Sequence, residues 1–249
     1  MNLFDWGGSR KDPHFRFPAS LFGIIAQSLR DRLTVGHSPL EAGIGVRIPI
    51  PQPNMEKNYC IFGDSVTQAP YVKIGWVGLF RQFLEEKNQK DSVNIFNLGV
   101  SGNTSEDILK RFDAEASVRE PTDIIFAVGI NDSGYFRIPS KPVVEESKFV
   151  LNLEELIAKA RKFSQDITFI GLVLGDDSIL KPFPESSTGH SYTRERAKAY
   201  DRIIKEMSEK KGCRFVYIMD KLDSADFQDG LHPNEQGHRK MFEVIKKYF

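Results

Sequence analysis

Cysteine is scarce in this 249-residue chain, with only Cys60 and Cys213. Neither belongs to a CxxC pair or has a histidine at metal-ligand spacing, which argues against a structural zinc site. Both fall in apolar segments that read as strands, so buried free thiols are expected. Two such thiols fit a reducing compartment such as the cytoplasm and leave secretion open. A surplus of either charge is missing as well. Lysine plus arginine and aspartate plus glutamate each total 34, so the formal net charge is zero. That balance argues against nucleic acid or an anionic membrane surface as the main partner. No apolar run approaches the length of a membrane span. A G-x-G-x-x-G segment and a lysine-bearing phosphate loop are also absent, and a nucleotide site is poorly supported. What is left is the composition of a globular protein, 40% hydrophobic and 27% charged, with enough chain for one sizeable core or two small ones.

Proline is unevenly spread. Residues 1–54 hold six of the thirteen, ending in Ile48-Pro49-Ile50-Pro51-Gln52-Pro53, and show no sustained periodicity. Proline at alternate positions removes ladder donors and favours extended chain. Ser20–Leu29 (SLFGIIAQSL) offers one apolar patch. It is a poor signal-peptide core, because it starts late, follows Asp5 and Asp12, and lacks an A-x-A site. Met55 then opens a stretch that reads as a complete domain, 55–249. Residues 1–54 are an N-terminal extension or an upstream-start artefact.

From Met55 onward strands and helices alternate. Strands are expected at Asn58–Phe62, Val93–Leu98, Asp123–Val128, Ile167–Leu174 and Arg214–Met219. Trp76–Glu86 reads as an amphipathic helix, and Thr104 caps a second, with Asp107 completing an acidic capping box. Phe149, Leu153, Leu156, Ile157 and Ala160 mark one face of a third. Thr193–Lys210 forms a fourth, stopped near Gly212. Pro233 is expected at the first position of the last helix, which turns Met241, Phe242 and Ile245 inward. This alternation predicts an α/β fold with a parallel sheet covered on both sides.

Ligands of such sheets bind beyond the carboxyl ends of the strands. The first strand leads into Gly63-Asp64-Ser65 and the second into Gly99-Val100-Ser101-Gly102-Asn103-Thr104. The third leads into Gly129-Ile130-Asn131-Asp132, and the fifth, after a short loop, into Asp229-Gly230-Leu231-His232. Together these supply the parts of an acyl-transfer site. Serine needs a base within hydrogen-bond reach, and an imidazole titrates near neutrality. His232 is the candidate base for Ser65, and Asp229 is placed to fix the tautomer of His232. The amides of Ser65 and Gly102 and the side chain of Asn131 are candidate oxyanion donors. Each loop alone also reads as an ordinary turn or helix cap. Their joint occurrence at successive strand ends favours the chemistry.

The blocks FGDSVT, NLGVSGNT, VGIND and DGLHPNEQGH resemble the four signature blocks of the SGNH/GDSL hydrolase superfamily and span Gly63 to His238. The resemblance implies a flavodoxin-like three-layer α/β/α fold with a five-stranded parallel sheet. It also implies Ser65 as nucleophile, Asp229 and His232 as its triad partners, and Gly102 and Asn131 in the oxyanion hole. Val66 stands where leucine is the name-giving residue, an exchange of packing residues without an expected catalytic consequence. In a 2-1-3-4-5 strand order Cys60 and Cys213 lie beyond disulfide reach.

Two longer loops should border the site. Ser133–Val144 carries Tyr135, Phe136 and Arg137, and Gly175–Tyr192 carries Asp176, Asp177, Phe183 and His190. Asp64, Tyr135 and Asp176 are the expected substrate contacts. Aromatics beside carboxylates suit a sugar-like leaving group, and the lack of an apolar lid helix counts against long-chain lipids. The sequence therefore predicts a serine esterase for small carboxylic esters, short-acyl or acetyl esters of carbohydrate-like alcohols, with no cofactor and no metal. A thioesterase or lysophospholipase is the nearest alternative. An inactive SGNH-fold ligand-binding module and a flavodoxin-like nucleotide binder follow. Oligomeric state is not legible.

Overall fold

The computed structural model describes residues 56–87, 92–137, 141–184, 186 and 189–249. The expectations for residues 1–54, the Ser20–Leu29 patch among them, lie outside the described residues. Seven strands occur among those described: β1 Lys57–Gly63, β2 Val93–Gly99, β3 Asp123–Ala127, β4 Tyr135–Phe136, β5 Asp166–Ile170, β6 His190–Ser191 and β7 Arg214–Val216. Five of them form a parallel sheet in the order β2-β1-β3-β5-β7. Counted within that sheet alone, this is the expected 2-1-3-4-5 order. The short β4 and β6 pair antiparallel as a separate ribbon.

Strand alternation divides the core between the two faces, as the period of two requires. Cys60, Phe62, Ile124, Phe126, Ile167 and Phe169 join one apolar cluster. Tyr59, Ile61, Ile125, Ile170 and Val216 join the other. Helix α2, Trp76–Lys87, covers the second face with Trp76, Phe80 and Leu84 at four-residue spacing. Its neighbour is α7, Glu235–Ile245, which buries Met241 and Ile245, with Phe242 half-buried. The first face is covered by α3 Ser105–Ser117, α5 Glu146–Ala160 and α6 Arg194–Lys211. The described residues thus form the expected three-layer α/β/α sandwich. Thr104 and Asp107 form the capping box that starts α3. Gly212 ends α6 in the left-handed region, at φ 66.

Three expectations need correction. The apolar runs 167–174 and 214–219 do not stay in the ladder. β5 ends at Ile170 and β7 at Val216, where the ladder between them stops; 171–174, Ile218 and Met219 run on as buried connections, whereas Tyr217 is exposed. Cys213 therefore precedes its strand and is half-buried. Cys60 is buried in β1, with two strands between it and β7, and both thiols are free. Pro233 lies outside the last helix. Asn234 is the N-cap, its side chain accepting from the Gly237 amide at 3.1 Å, a bond proline cannot make. No helix among the described residues is long and apolar enough to cross a membrane.

Candidate active site

β1, β2 and β3 deliver their loops to one edge of the sheet. At the end of β1 the chain has no room for a side chain. A Cβ added to Gly63 would lie 2.1 Å from Thr67 Oγ1 and 2.8 Å from the Ala127 carbonyl oxygen. Its register partner Gly99 is crowded by the backbone of Thr67 and Gln68 in the same way. The strand can then fold straight into one helical turn, Ser65–Gln68, labelled α1. The Asp64 carboxylate caps it by accepting from the Val66 amide at 2.9 Å. Ala69, with φ 55, closes it by donating to the Ser65 carbonyl at 2.8 Å. Ser65 is thereby fixed on a turn held at both ends.

The loop before α7 supplies the imidazole. Asp229 Oδ1 accepts from the amides of Leu231 and His232, at 2.9 and 2.7 Å. Its Oδ2 lies 2.6 Å from His232 Nδ1. Nε2 of the same ring lies 2.9 Å from Ser65 Oγ. Burial opposes ionisation of Asp229, but the bonds from the His232 ring and the two amides outweigh it and hold the carboxyl below its usual range. A carboxylate at Nδ1 requires the proton there, which leaves Nε2 free to accept from the serine hydroxyl. The rings of Tyr71 and Phe183 lie against the imidazole, with centroids at 5.0 and 5.8 Å. A second histidine, His238, stays neutral: burial, then the nearby His232, pushes it down to about 4. Its Nδ1 accepts from the Trp76 amide at 3.4 Å.

Opposite the serine, Gly102 sits at φ 79 with nothing within 4 Å of an added Cβ. A positive φ of this kind suits glycine, which has no Cβ to strain. Among the described residues the amides of Ser65 and Gly102 have no acceptor. Asn131 lies in the one-turn helix α4, Ile130–Ser133. Its Nδ2 donates to the Asn103 carbonyl at 3.0 Å, and its Oδ1 accepts from Tyr192 Oη at 3.1 Å. Beneath it, buried Asp132 accepts from the amide and hydroxyl of Ser105, and Asn152 Nδ2 donates to that hydroxyl at 2.8 Å. Burial pushes Asp132 up to about 6 against the pull of those Ser105 bonds.

Ser65, Gly102, Asn131 and His232 thus meet at a cleft of about 340 Å³, with Phe183, His190 and Tyr192 in its walls. The three expected substrate contacts do not line it. Asp64 is 2% exposed and spent as a cap, and burial pushes its carboxyl up to about 7. Asp176 caps the turn at Asp177–Ile179 by accepting from the Ser178 amide at 2.9 Å. Tyr135 is excluded by alternation in the β4–β6 ribbon. His190 and Tyr192 line the cleft, whereas Gly189, Ser191, Tyr135 and Arg137 line a different groove. Phe136 stacks on His190, centroids 3.8 Å apart. Tyr71, Tyr192 and the Ser105–Asp132–Asn152 network had no role in the sequence reading. Only the position of Tyr192, at the end of a loop expected to border the site, signalled it. Among the described residues no group of three or more His, Cys, Asp or Glu side chains is placed to hold a metal ion.

Comparison with known proteins agrees with this fold. The acetylxylan esterase of Geobacillus stearothermophilus is 22% identical over 195 residues, covering 71% of this chain and 86% of that protein. The crystal structure of that esterase, Axe2, superposes with a TM-score of 0.63 at 19% identity, covering 79% of this chain and 95% of that one. The structure of LAE5, an alpha/beta hydrolase enzyme from the metagenome of Lake Arreo, Spain, gives 0.62 at 20% identity, covering 77% and 94%. The uncharacterized protein YpmR of Bacillus subtilis (strain 168) is 24% identical over 209 residues, covering 74% of this chain and 80% of that protein. The model of the GDSL-like Lipase/Acylhydrolase family matches residues 61–240, from the first signature block to α7. The chain belongs to that family, and is a carboxylic ester hydrolase of the SGNH/GDSL superfamily.

Proposed function

We propose that this protein is a serine esterase for short-acyl, chiefly acetyl, esters of carbohydrate-like alcohols. One observation carries the reading: the unbroken chain Asp229–His232–Ser65, with links of 2.6 and 2.9 Å, ends on a serine lining an open cleft. Ser65 Oγ attacks the ester carbonyl carbon while its proton passes to His232 Nε2. The carbonyl π electrons move onto oxygen, and the amides of Ser65 and Gly102 with the Asn131 amide group stabilise that charge. Collapse of the tetrahedral intermediate breaks the carbon–oxygen bond, and the alcohol leaves with the His232 proton. The acyl-Ser65 ester then reacts with a water deprotonated by His232, releasing the acid.

The cleft walls support the choice of alcohol. Flat rings from Phe183 and Tyr192, and the stacked His190–Phe136 pair, occur beside the hydroxyls of Ser101 and Ser186, a mixture that suits the apolar faces and hydroxyl edges of a sugar. The relative named acetylxylan esterase points the same way. A second reading, a thioesterase or lysophospholipase, is favoured by exposed apolar side chains of the loops at this edge: Tyr71, Val100, Phe136 and Ile179. A hydrolysis panel of acetylated xylo-oligosaccharides, p-nitrophenyl esters of increasing acyl length and acyl thioesters separates the two. The acetyl reading expects turnover to fall steeply beyond butyryl. A fluorophosphonate probe should label Ser65 and fail on Ser65→Ala. Labelling of Ser65→Ala at another serine, or no hydrolysis of any ester, would remove the assignment.

A further inference from the structure

The Asn131 amide has two ways round, and only one of them can serve an oxyanion. With its NH₂ group toward the reacting carbonyl it donates. Flipped, it presents a carbonyl oxygen to a developing negative charge. The contacts around it fix the sense. The Asn103 carbonyl, 3.0 Å away, can only accept, so the atom facing it is the nitrogen. The other end, facing Tyr192 Oη at 3.1 Å, is therefore the oxygen, and the phenol donates to it. One N–H of Asn131 is spent on Asn103. The second has no acceptor among the described residues, on a side chain that lines the cleft.

We infer that Tyr192 is a positioning residue for the reaction: its hydroxyl holds the Asn131 amide in place, in the sense set by the Asn103 carbonyl, which leaves an N–H for the oxyanion. The inference rests on the oxyanion role proposed for Asn131 and goes beyond it by naming what holds that group. Tyr192 is built for the task. Its ring is 4% exposed and packs on the Gly134 backbone, where a Cβ would come within 3.0 Å of the ring. Phe183 meets the same ring edge-on at 6.2 Å, and the Tyr192 amide donates to the Leu180 carbonyl at 3.0 Å. Burial, then the neighbouring Asp64 carboxyl, pushes the phenol well above its ordinary value. It keeps its proton at every working pH and remains a donor.

The test is steady-state hydrolysis of p-nitrophenyl acetate by the full chain and three variants. Tyr192→Phe deletes one oxygen and keeps the ring. Its kcat should fall about tenfold, the worth of one hydrogen bond, with KM within about twofold of wild type. Asn131→Ala should lower kcat by about 10²–10³. In the double variant the tyrosine has nothing left to orient, so its kcat should match Asn131→Ala within about twofold. A Tyr192→Phe loss that persists undiminished in the Asn131→Ala background would assign the tyrosine to packing and overturn the inference, as would a wild-type kcat for Tyr192→Phe. An unimpaired Asn131→Ala would instead remove the oxyanion role itself, and the inference with it.

Discussion

Exchanging Asp229 for asparagine asks whether the carboxylate acts through charge or through the proton it holds on His232. The two backbone amides of Leu231 and His232 both donate to Oδ1, at 2.9 and 2.7 Å. In Asp229→Asn they keep the side-chain oxygen toward them, because an NH₂ group there would face two donors. The NH₂ group is then forced into the Oδ2 position, 2.6 Å from Nδ1. A donor at that place makes Nδ1 the acceptor and moves the ring proton to Nε2, where it faces Ser65 Oγ. The imidazole is then unable to take the serine proton. Loss of the correct tautomer is worth about 10⁴ in kcat, roughly 5.5 kcal/mol of barrier. Stability should change far less. The three bonds to the carboxylate lose their charge assistance, at a cost of about 1–3 kcal/mol, or a few degrees in Tm for a domain of this size. The assay is stopped-flow hydrolysis of p-nitrophenyl acetate alongside thermal unfolding. An Asp229→Asn enzyme within about tenfold of wild-type kcat would show that Asp229 does not set the tautomer.

Two other outcomes are expected. Asp201 accepts from the Leu172 amide at 2.7 Å. Burial first, with help from Asp220, pushes its carboxyl from 3.8 up to about 6. The folded state therefore holds this proton more tightly than the unfolded chain. The group's favourable contribution is complete below about pH 4 and is lost as the pH rises through 6. Asp201→Asn should match wild type near pH 4 and exceed it by on the order of 2–3 kcal/mol at pH 8, read by urea unfolding. A pH-independent difference would refute the sign. We also propose that residues 55–249 form a self-sufficient domain, since the main sheet runs from Lys57 to Val216 and the family match from 61 to 240. A chain starting at Met55 should unfold cooperatively and keep its esterase activity, and inactive or insoluble protein would count against this.

The sheet and the chain Asp229–His232–Ser65 were legible for one reason. Strand ends in a parallel sheet bring short loops to a common edge, so Gly63-Asp64-Ser65 and Asp229-Gly230-Leu231-His232 announce themselves locally. Where sequence reasoning failed, the deciding contact was distant or the signal had two uses. Tyr192 reaches Asn131 across sixty-one positions, and no spacing rule links them. Asp64 offered a carboxylate next to the serine, and nothing in the sequence says that the turn consumes it as a cap. Residues 171–174 are as apolar as the strand before them, and they leave the ladder only because neighbouring strands stop. Pro233 and Asn234 both signal a helix start, and the side-chain cap won. The ribbon of β4 and β6, two residues each, is too short for any periodicity to register.

That ribbon limits how the protein can vary. His190 and Tyr192 face the cleft only because Ser191 lies between them and faces away. A single-residue insertion between Phe183 and His190 that slid the strand by one place against Tyr135 and Phe136 would turn Ser191 inward. The stacked imidazole and the phenol on Asn131 would then be lost together. Length changes in the segment 184–189 should therefore be tolerated in pairs and rejected singly, so this wall of the cleft evolves by substitution more readily than by growth.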